Sequence, residues 1–276
     1  MNKEISFIIS SVGKSKQLDN LIKFLIKNFE YEIVLVDNSI NRKLIKYNKT
    51  EKVKYVYEEK IGLSNARNKG INSAEGNVLV FLDDDIIPDE CWINAVKSYA
   101  NLQDDILVGG KTNVLSSEKF LPQKYKYISG KKDFGDNKKI LKRNYLGGCC
   151  FIINKNTISK LGKFNTLYGH KGKKMGANED VLLQVRIRKN KGKIIYDPKL
   201  LVVHIWEGNL EKALNRVKIQ GENDRILDEE TSLLKMYLKQ IKYRIFIKLN
   251  RKETNIHSQN YFDLVRYKAY VRYNRI

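Results

Sequence analysis

The stretch VLVFLDDDIIPDE, residues 78 to 90, sets an apolar run directly before three adjacent aspartates. Val78 to Leu82 reads as a buried strand, since a short apolar run with polar ends suits a covered sheet position. Asp83, Asp84 and Asp85 repel one another and are costly to desolvate, so something must compensate them. Asp83 and Asp85 stand two residues apart. If strand alternation continues through them, both point to one side, where paired carboxylates suit Mg²⁺ or Mn²⁺. The plainer alternative is a solvated turn that also caps a helix beginning near Pro88.

On either side of this stretch, strand and helix patterns alternate. Ile5 to Ser10 reads as a strand, and Leu18, Leu21, Ile22, Leu25, Ile26 and Phe29 recur at helical spacing. Glu32 to Val36 forms a strand ending at Asp37, and Val53 to Val56 a third. Residues 62 to 74 read as a helix, 77 to 82 as the fourth strand, 89 to 100 as a helix and 106 to 109 as a strand. This alternation predicts an α/β fold with a parallel sheet covered on both faces. Ligands of such sheets bind beyond the carboxyl ends of the strands. Ser10, Ser11, Asp37 and Asp83 to Asp85 all fall there. Residues 115 to 145 read as a long polar excursion, and Cys149 to Ile153 as a further strand. The glycine- and lysine-rich stretch 167 to 180 delivers Glu179 and Asp180 to a helix over 181 to 190. Strands near Ile194–Tyr196 and Leu200–His204 follow, and beyond Trp206 the pattern is helical.

The chain has 276 residues, enough for one large core or one domain with an appendage. Its net charge of +21 points to phosphorylated substrates, an anionic membrane surface or nucleic acid. No nucleic-acid-binding motif accompanies the charge, so a polyanion-binding protein is the weaker reading. Three cysteines without disulfide or zinc spacing predict a reducing, cytoplasmic setting. The apolar run in MNKEISFIISS is too short for a signal peptide, and no run approaches the roughly 20 residues of a membrane span.

Five segments in order resemble one family. They are EIVLVDNS at 32 to 39, GLSNARNKGI at 62 to 71, VLVFLDDDIIP at 78 to 88, LGGCCFIINK at 146 to 155, and NEDVLLQVRIRKNKGKIIYDPKLLVVHIW at 178 to 206. Together they look like a family 2 glycosyltransferase of GT-A fold, a Rossmann-like, mostly parallel sheet flanked by helices. The resemblance covers roughly residues 3 to 206, giving a catalytic domain over 1 to 206 and a basic helical region over 207 to 276. It implies inverting sugar transfer from a nucleotide sugar, usually a UDP-sugar, with a divalent cation. Residue by residue, Asp37, Ser10, Asn65, Arg67, Asp83 and Asp84 match the nucleotide-sugar side. Asp83 and Asp85 match the DxD metal ligands, His204 a metal- or diphosphate-holding histidine, and Asp180, beside Glu179, the catalytic base. A nucleotidyltransferase has a related fold, but its glycine-rich, lysine-bearing N-terminal signature is missing.

From Lys235 to Lys252 basic residues interleave with Met236, Leu238, Ile241, Ile245 and Leu249, and Lys235, Lys239 and Lys242 share a helical face. Two readings stay open. One is a basic amphipathic helix on an anionic membrane surface, in keeping with a lipid-linked or glycan acceptor and a peripheral location. The other is a cap packed on the catalytic domain.

Overall fold

The computed structural model describes residues 2–115, 130–168, 178–206, 208–250, 252–256 and 258–272. They divide into two compact units. The first comprises Met1–Leu115, Gly130–Leu167 and Glu179–Trp206. The described part of the second is Tyr168, Asn178 and residues 208–250, 252–256 and 258–272.

The first unit is a nine-stranded sheet with helices on both faces. It runs β1 (Asn2–Ser11), α1 (Leu18–Asn28), β2 (Tyr31–Asp37), β3 (Val53–Tyr57), α2 (Leu63–Ser73), β4 (Val78–Asp83), β5 (Ile86–Pro88) and α3 (Glu90–Lys97). Then follow β6 (Ile106–Leu115), β7 (Lys139–Ile140), β8 (Cys150–Asn154), α4 (Lys155–Leu161), α5 (Glu179–Lys189) and β9 (Lys193–Ile205). The strand order is β3-β2-β1-β4-β8-β6-β9-β5, with β7 beside β9.

Strand alternation builds two apolar layers. Phe7, Ile9, Leu35, Val80 and Leu82 join Leu21, Leu25, Trp92 and Val96 of α1 and α3. Ile8, Val34, Val36 and Phe81 join Ala66, Ile71, Leu183 and Ile187 of α2 and α5. Trp92 is fully buried, and its indole N–H donates to Cys150 Sγ at 3.3 Å. Cys149 and Cys150 are both buried and free, as packing residues.

The expected parallel sheet holds from β3 to β4, while the second half is mixed. β8 runs antiparallel to β4 and β6, and β5 and β7 run antiparallel to β9. β6 and β9 pair in parallel. The two strands expected near 194 to 204 are one strand, β9, whose partners change register opposite Gly110 to Thr112. The polar excursion returns to the sheet through a bridge between Thr112 and Lys132 and through β7. Most of the glycine- and lysine-rich stretch, residues 169–177, lies outside the described residues.

In the second unit, α6 (Leu210–Thr231) packs on α8 (Gln259–Arg272), with α7 (Leu233–Leu249) against α8. Gly221 allows the α6–α8 approach, because a Cβ there would overlap the Arg266 carbonyl. Phe262, Tyr270 and Met236 are buried. Asp228, also buried, accepts from Tyr270 Oη at 3.0 Å and pairs with Lys235 and Lys239 at 2.9 and 2.5 Å. No helix among the described residues is long and apolar enough to cross a membrane.

Candidate functional site

The parallel register gathers the predicted strand-end residues on one edge. Ser11 lies opposite Asp37, and Ser10 opposite both Val36 and Asp83. β4 ends at Asp83, and Asp84 and Asp85 form a turn before β5. Strand alternation therefore stops at Asp83, which corrects the expectation that Asp83 and Asp85 share a side through one continuous strand. Each aspartate has its own partner instead. Asp83 accepts from Arg67 Nη2 at 3.1 Å. Asp84 accepts a short hydrogen bond from Ser11 Oγ, and its carbonyl accepts from Ser15 Oγ at 2.6 Å. Asp85 Oδ2 lies 3.3 Å from His204 Nε2. Antiparallel register makes this last contact, since β5 sets Ile86 directly opposite His204.

Burial and crowding shape the charges. Burial pushes Asp84 up to about 7; the Ser11 hydroxyl opposes this, and Asp85 and Asp83 add to it. Burial also raises Asp83, against the pull of Arg67. Arg67 is buried on α2 and joins three segments. It donates to Asp83, to the Gly148 carbonyl at 2.9 Å and to Glu179 Oε1 at 2.8 Å. Its guanidinium also sits over Phe151 and Phe164, 5.8 and 5.5 Å from the ring centres. Burial, then the nearby Asp180, push Glu179 up to about 7, with Arg67 opposing.

Glu179 and Asp180 occupy the first turn of α5, two residues earlier than the predicted helix start, where the helix dipole favours acids. Gln184, one turn on, accepts from Leu146 N at 2.9 Å and donates to the Leu146 carbonyl. This clamp holds the Gly147–Gly148 loop against Asp180. A Cβ on Gly148 would come within 2.8 Å of Asp180 Oδ2, so the contact requires glycine. Lys132 was not foreseen in the polar excursion. Its stem lies over Gly147, burial lowers its ammonium, and the Asp180 charge opposes that shift. Nothing in the local pattern around Lys132 distinguishes it from the other lysines there.

Other predicted residues have structural partners. Asp37 is fully buried and accepts from Ser39 N, Leu44 N and Tyr55 Oη at 2.9, 2.9 and 3.0 Å. Asn38 joins the β2 end to the entrance of α2 by donating to the Glu58 and Lys60 carbonyls and accepting from Gly62 N. Asn65 Nδ2 donates to Ile61 O at 3.4 Å, beside its own helix start. Asn68 makes a two-way link with the Phe164 backbone at 2.9 Å each. Trp206, which closes the first unit, is buried.

The expected cation ligands were Asp83, Asp85 and His204. Among the described residues no three Asp, Glu, His or Cys side chains form a set that could hold a metal ion. Of the three expected ligands, Asp85 and His204 are adjacent at 3.3 Å, while Asp83 gives an oxygen to Arg67 at 3.1 Å. The pair does suit a hard cation. Asp85 Oδ1 is buried with no hydrogen-bond partner among the described residues, which is costly for a carboxylate oxygen. Ser10 Oγ is orphaned in the same way.

The family model described as Glycosyl transferase family 2 matches residues 6–162. The chain belongs to that family. The match spans Asp37, Arg67 and the three aspartates of this family 2 chain. It is 24% identical over 191 residues to the Glucosyl-dolichyl phosphate glucuronosyltransferase of Haloferax volcanii, covering 61% of this chain and 60% of that protein. It is 28% identical over 141 residues to the Chondroitin synthase of Pasteurella multocida, covering 45% and 15%. The family 2 chain thus matches only part of each curated relative's length. A solved structure, titled Crystal structure of GalNAc-T7 with UDP, GalNAc and Mn2+, aligns with a TM-score of 0.56 at 18% identity, over 80% of this chain and 50% of that one. That likeness shows the GT-A fold.

Proposed function

We propose that the chain transfers a sugar, with inversion, from a UDP-sugar or another nucleotide-diphosphate sugar to a hydroxyl of a glycan or lipid-linked acceptor. The observation that carries this reading is Asp85, whose buried Oδ1 has no hydrogen-bond partner among the described residues, beside His204 at the carboxyl edge of the parallel strands. Asp85 and His204, with Asp83 nearby, would hold Mn²⁺ or Mg²⁺, which supplies positive charge for the departing diphosphate. The names of the relatives support the substrate classes: a dolichyl-phosphate-linked sugar in one, and UDP with Mn²⁺ in the other.

Asp180 is the base in this reading. It takes the acceptor proton as the acceptor oxygen forms its bond to the anomeric carbon. The bond from that carbon to the diphosphate oxygen breaks on the opposite side, so a single displacement inverts the centre. Glu179 is committed to Arg67, which leaves Asp180 as the available member of the pair. Arg67 fixes Asp83, Gly148 and the head of α5 relative to one another, and so keeps the carboxylates at their stations.

A screen of UDP-, GDP- and dTDP-linked sugars, read as nucleotide release with and without Mn²⁺, tests the proposal. The expected result is metal-dependent release from one donor, together with an Mn²⁺-induced rise in melting temperature that Asp85→Asn removes. Release that survives full chelation, or an unchanged Mn²⁺ shift in Asp85→Asn, overturns the assignment.

A further inference from the structure

α7 is apolar on two opposite sides. One side turns inward: Met236 is buried, Tyr243 stacks on Tyr267 of α8 at 3.8 Å, and Phe246 meets Tyr267 edge-on. The other side carries Leu234, Leu238, Ile241, Ile245 and Leu249, spaced by three or four residues along the helix. All five are exposed, from 56% for Ile245 to 78% for Leu249. A solvent-facing stripe of this kind marks a surface that meets something apolar.

Charge identifies the occupant. α7 has five basic residues, Lys235, Lys239, Lys242, Arg244 and Lys248, and no acidic one. On a helical projection Lys235 and Lys242 flank one border of the stripe and Arg244 the other, with Lys248 at its C-terminal end. Ser232, Leu234, Lys235, Leu238, Lys239 and Lys242 line a shallow groove of about 320 Å³ beside the stripe. Asp228 holds the Lys235 and Lys239 ammonium groups at its wall. A second copy is a poor occupant, because a symmetric contact through this stripe would set Lys242, Arg244 and Lys248 of the two copies against each other, Asp228 offsetting only Lys235 and Lys239. Nucleic acid would leave the leucines and isoleucines unsatisfied. An anionic lipid surface satisfies both features.

We propose that α7 docks the protein in the plane of an anionic membrane. The Leu234–Leu249 stripe enters the acyl boundary, and Lys242, the groove lysine that Asp228 does not hold, meets a lipid phosphate. The inference goes beyond the transfer reaction and stands on α7 alone.

Flotation of the full chain with phosphatidylserine-containing and pure phosphatidylcholine vesicles tests it. Wild type should float only with the anionic vesicles, and less so as salt rises. The pair Leu238→Ser and Ile245→Ser, both exposed, should cut partitioning by about tenfold or more while leaving the circular dichroism spectrum and melting temperature unchanged. The pair Lys242→Glu and Arg244→Glu should do the same through charge. Absence of wild-type flotation at low salt, or variants that float like wild type, overturns the proposal. So does a concentration-dependent dimer, in sedimentation, that the stripe variants abolish.

Discussion

Arg67 is one buried cation set among Asp83, Glu179 and the nearby Asp180, so the carboxylates around it cannot all ionise cheaply. Glu179 shows the consequence most directly. Its native value near 7 lies above the ordinary 4.5, so between those values the folded protein holds a proton that the unfolded chain has lost. Its contribution to stability is therefore full below about pH 4.5 and is lost as pH rises through 7. In buffer without metal or nucleotide, the melting temperature should fall from pH 5 to pH 8, and Glu179→Gln should flatten that fall; equal slopes in the two proteins would contradict the assignment. Asp180 makes a separate prediction. Asp180→Asn should keep donor affinity, measured by calorimetry, and lower the transfer rate by roughly 10²–10⁴-fold. Near-normal transfer would move the base elsewhere. The residue types at these positions were legible as strand-end and helix-start carboxylates, and their roles came from the family resemblance. Their partners were not legible, because Arg67 lies 16 residues from Asp83 and 112 from Glu179, and only the fold closes those gaps.

At the scale of elements, legibility followed length. β1, β2 and β4 announce themselves as apolar runs, and α1 by its periodic stripe. β5 and β7 span three and two residues, too short to carry a period, and both exist through pairing with β9. The antiparallel direction of β8 was equally hidden, since a fully buried strand reads alike in either orientation. α7 was visible as a basic amphipathic helix, but its second apolar side emerged only once α8 had covered the first. Asp228 secures that arrangement. Burial alone would raise its carboxyl, yet Lys239 and Lys235 hold it below the ordinary value. It therefore contributes stability above about pH 4 that is lost as pH falls through its native value. Asp228→Asn should destabilise α6–α8 by about 2 kcal/mol at neutral pH, with little further loss in acid. Chemical denaturation at pH 7 and pH 3.5 reads this, and equal acid sensitivity in mutant and wild type would refute it.

For the whole molecule, a charge of +21 should give adhesion to polyanions at low salt. That adhesion should carry no sequence preference. Fluorescence anisotropy with RNA oligomers should show affinity falling steeply and alike for all sequences as salt rises. If donor binding is as proposed, it should persist, because the carboxylates, histidine and arginine assigned to it would act at close range in a partly buried site. Salt-resistant, sequence-selective RNA binding would favour the weaker, nucleic-acid-binding reading. The antiparallel match of β5 to β9 has a consequence of another kind. His204 faces Asp85 by count along two strands, with Ile86 opposite His204, Ile87 opposite Val203 and Pro88 opposite Val202. Deleting one residue from β9 would turn the imidazole to the other face of the sheet, and deleting two would carry it past the aspartate altogether. An exchange of an exposed side chain such as Lys193 or Lys199 leaves this alignment in place, whereas a change in the length of β9 does not. Part of what this edge of the sheet inherits is thus stored as spacing, and a comparison that scores only residue identity would not register its loss.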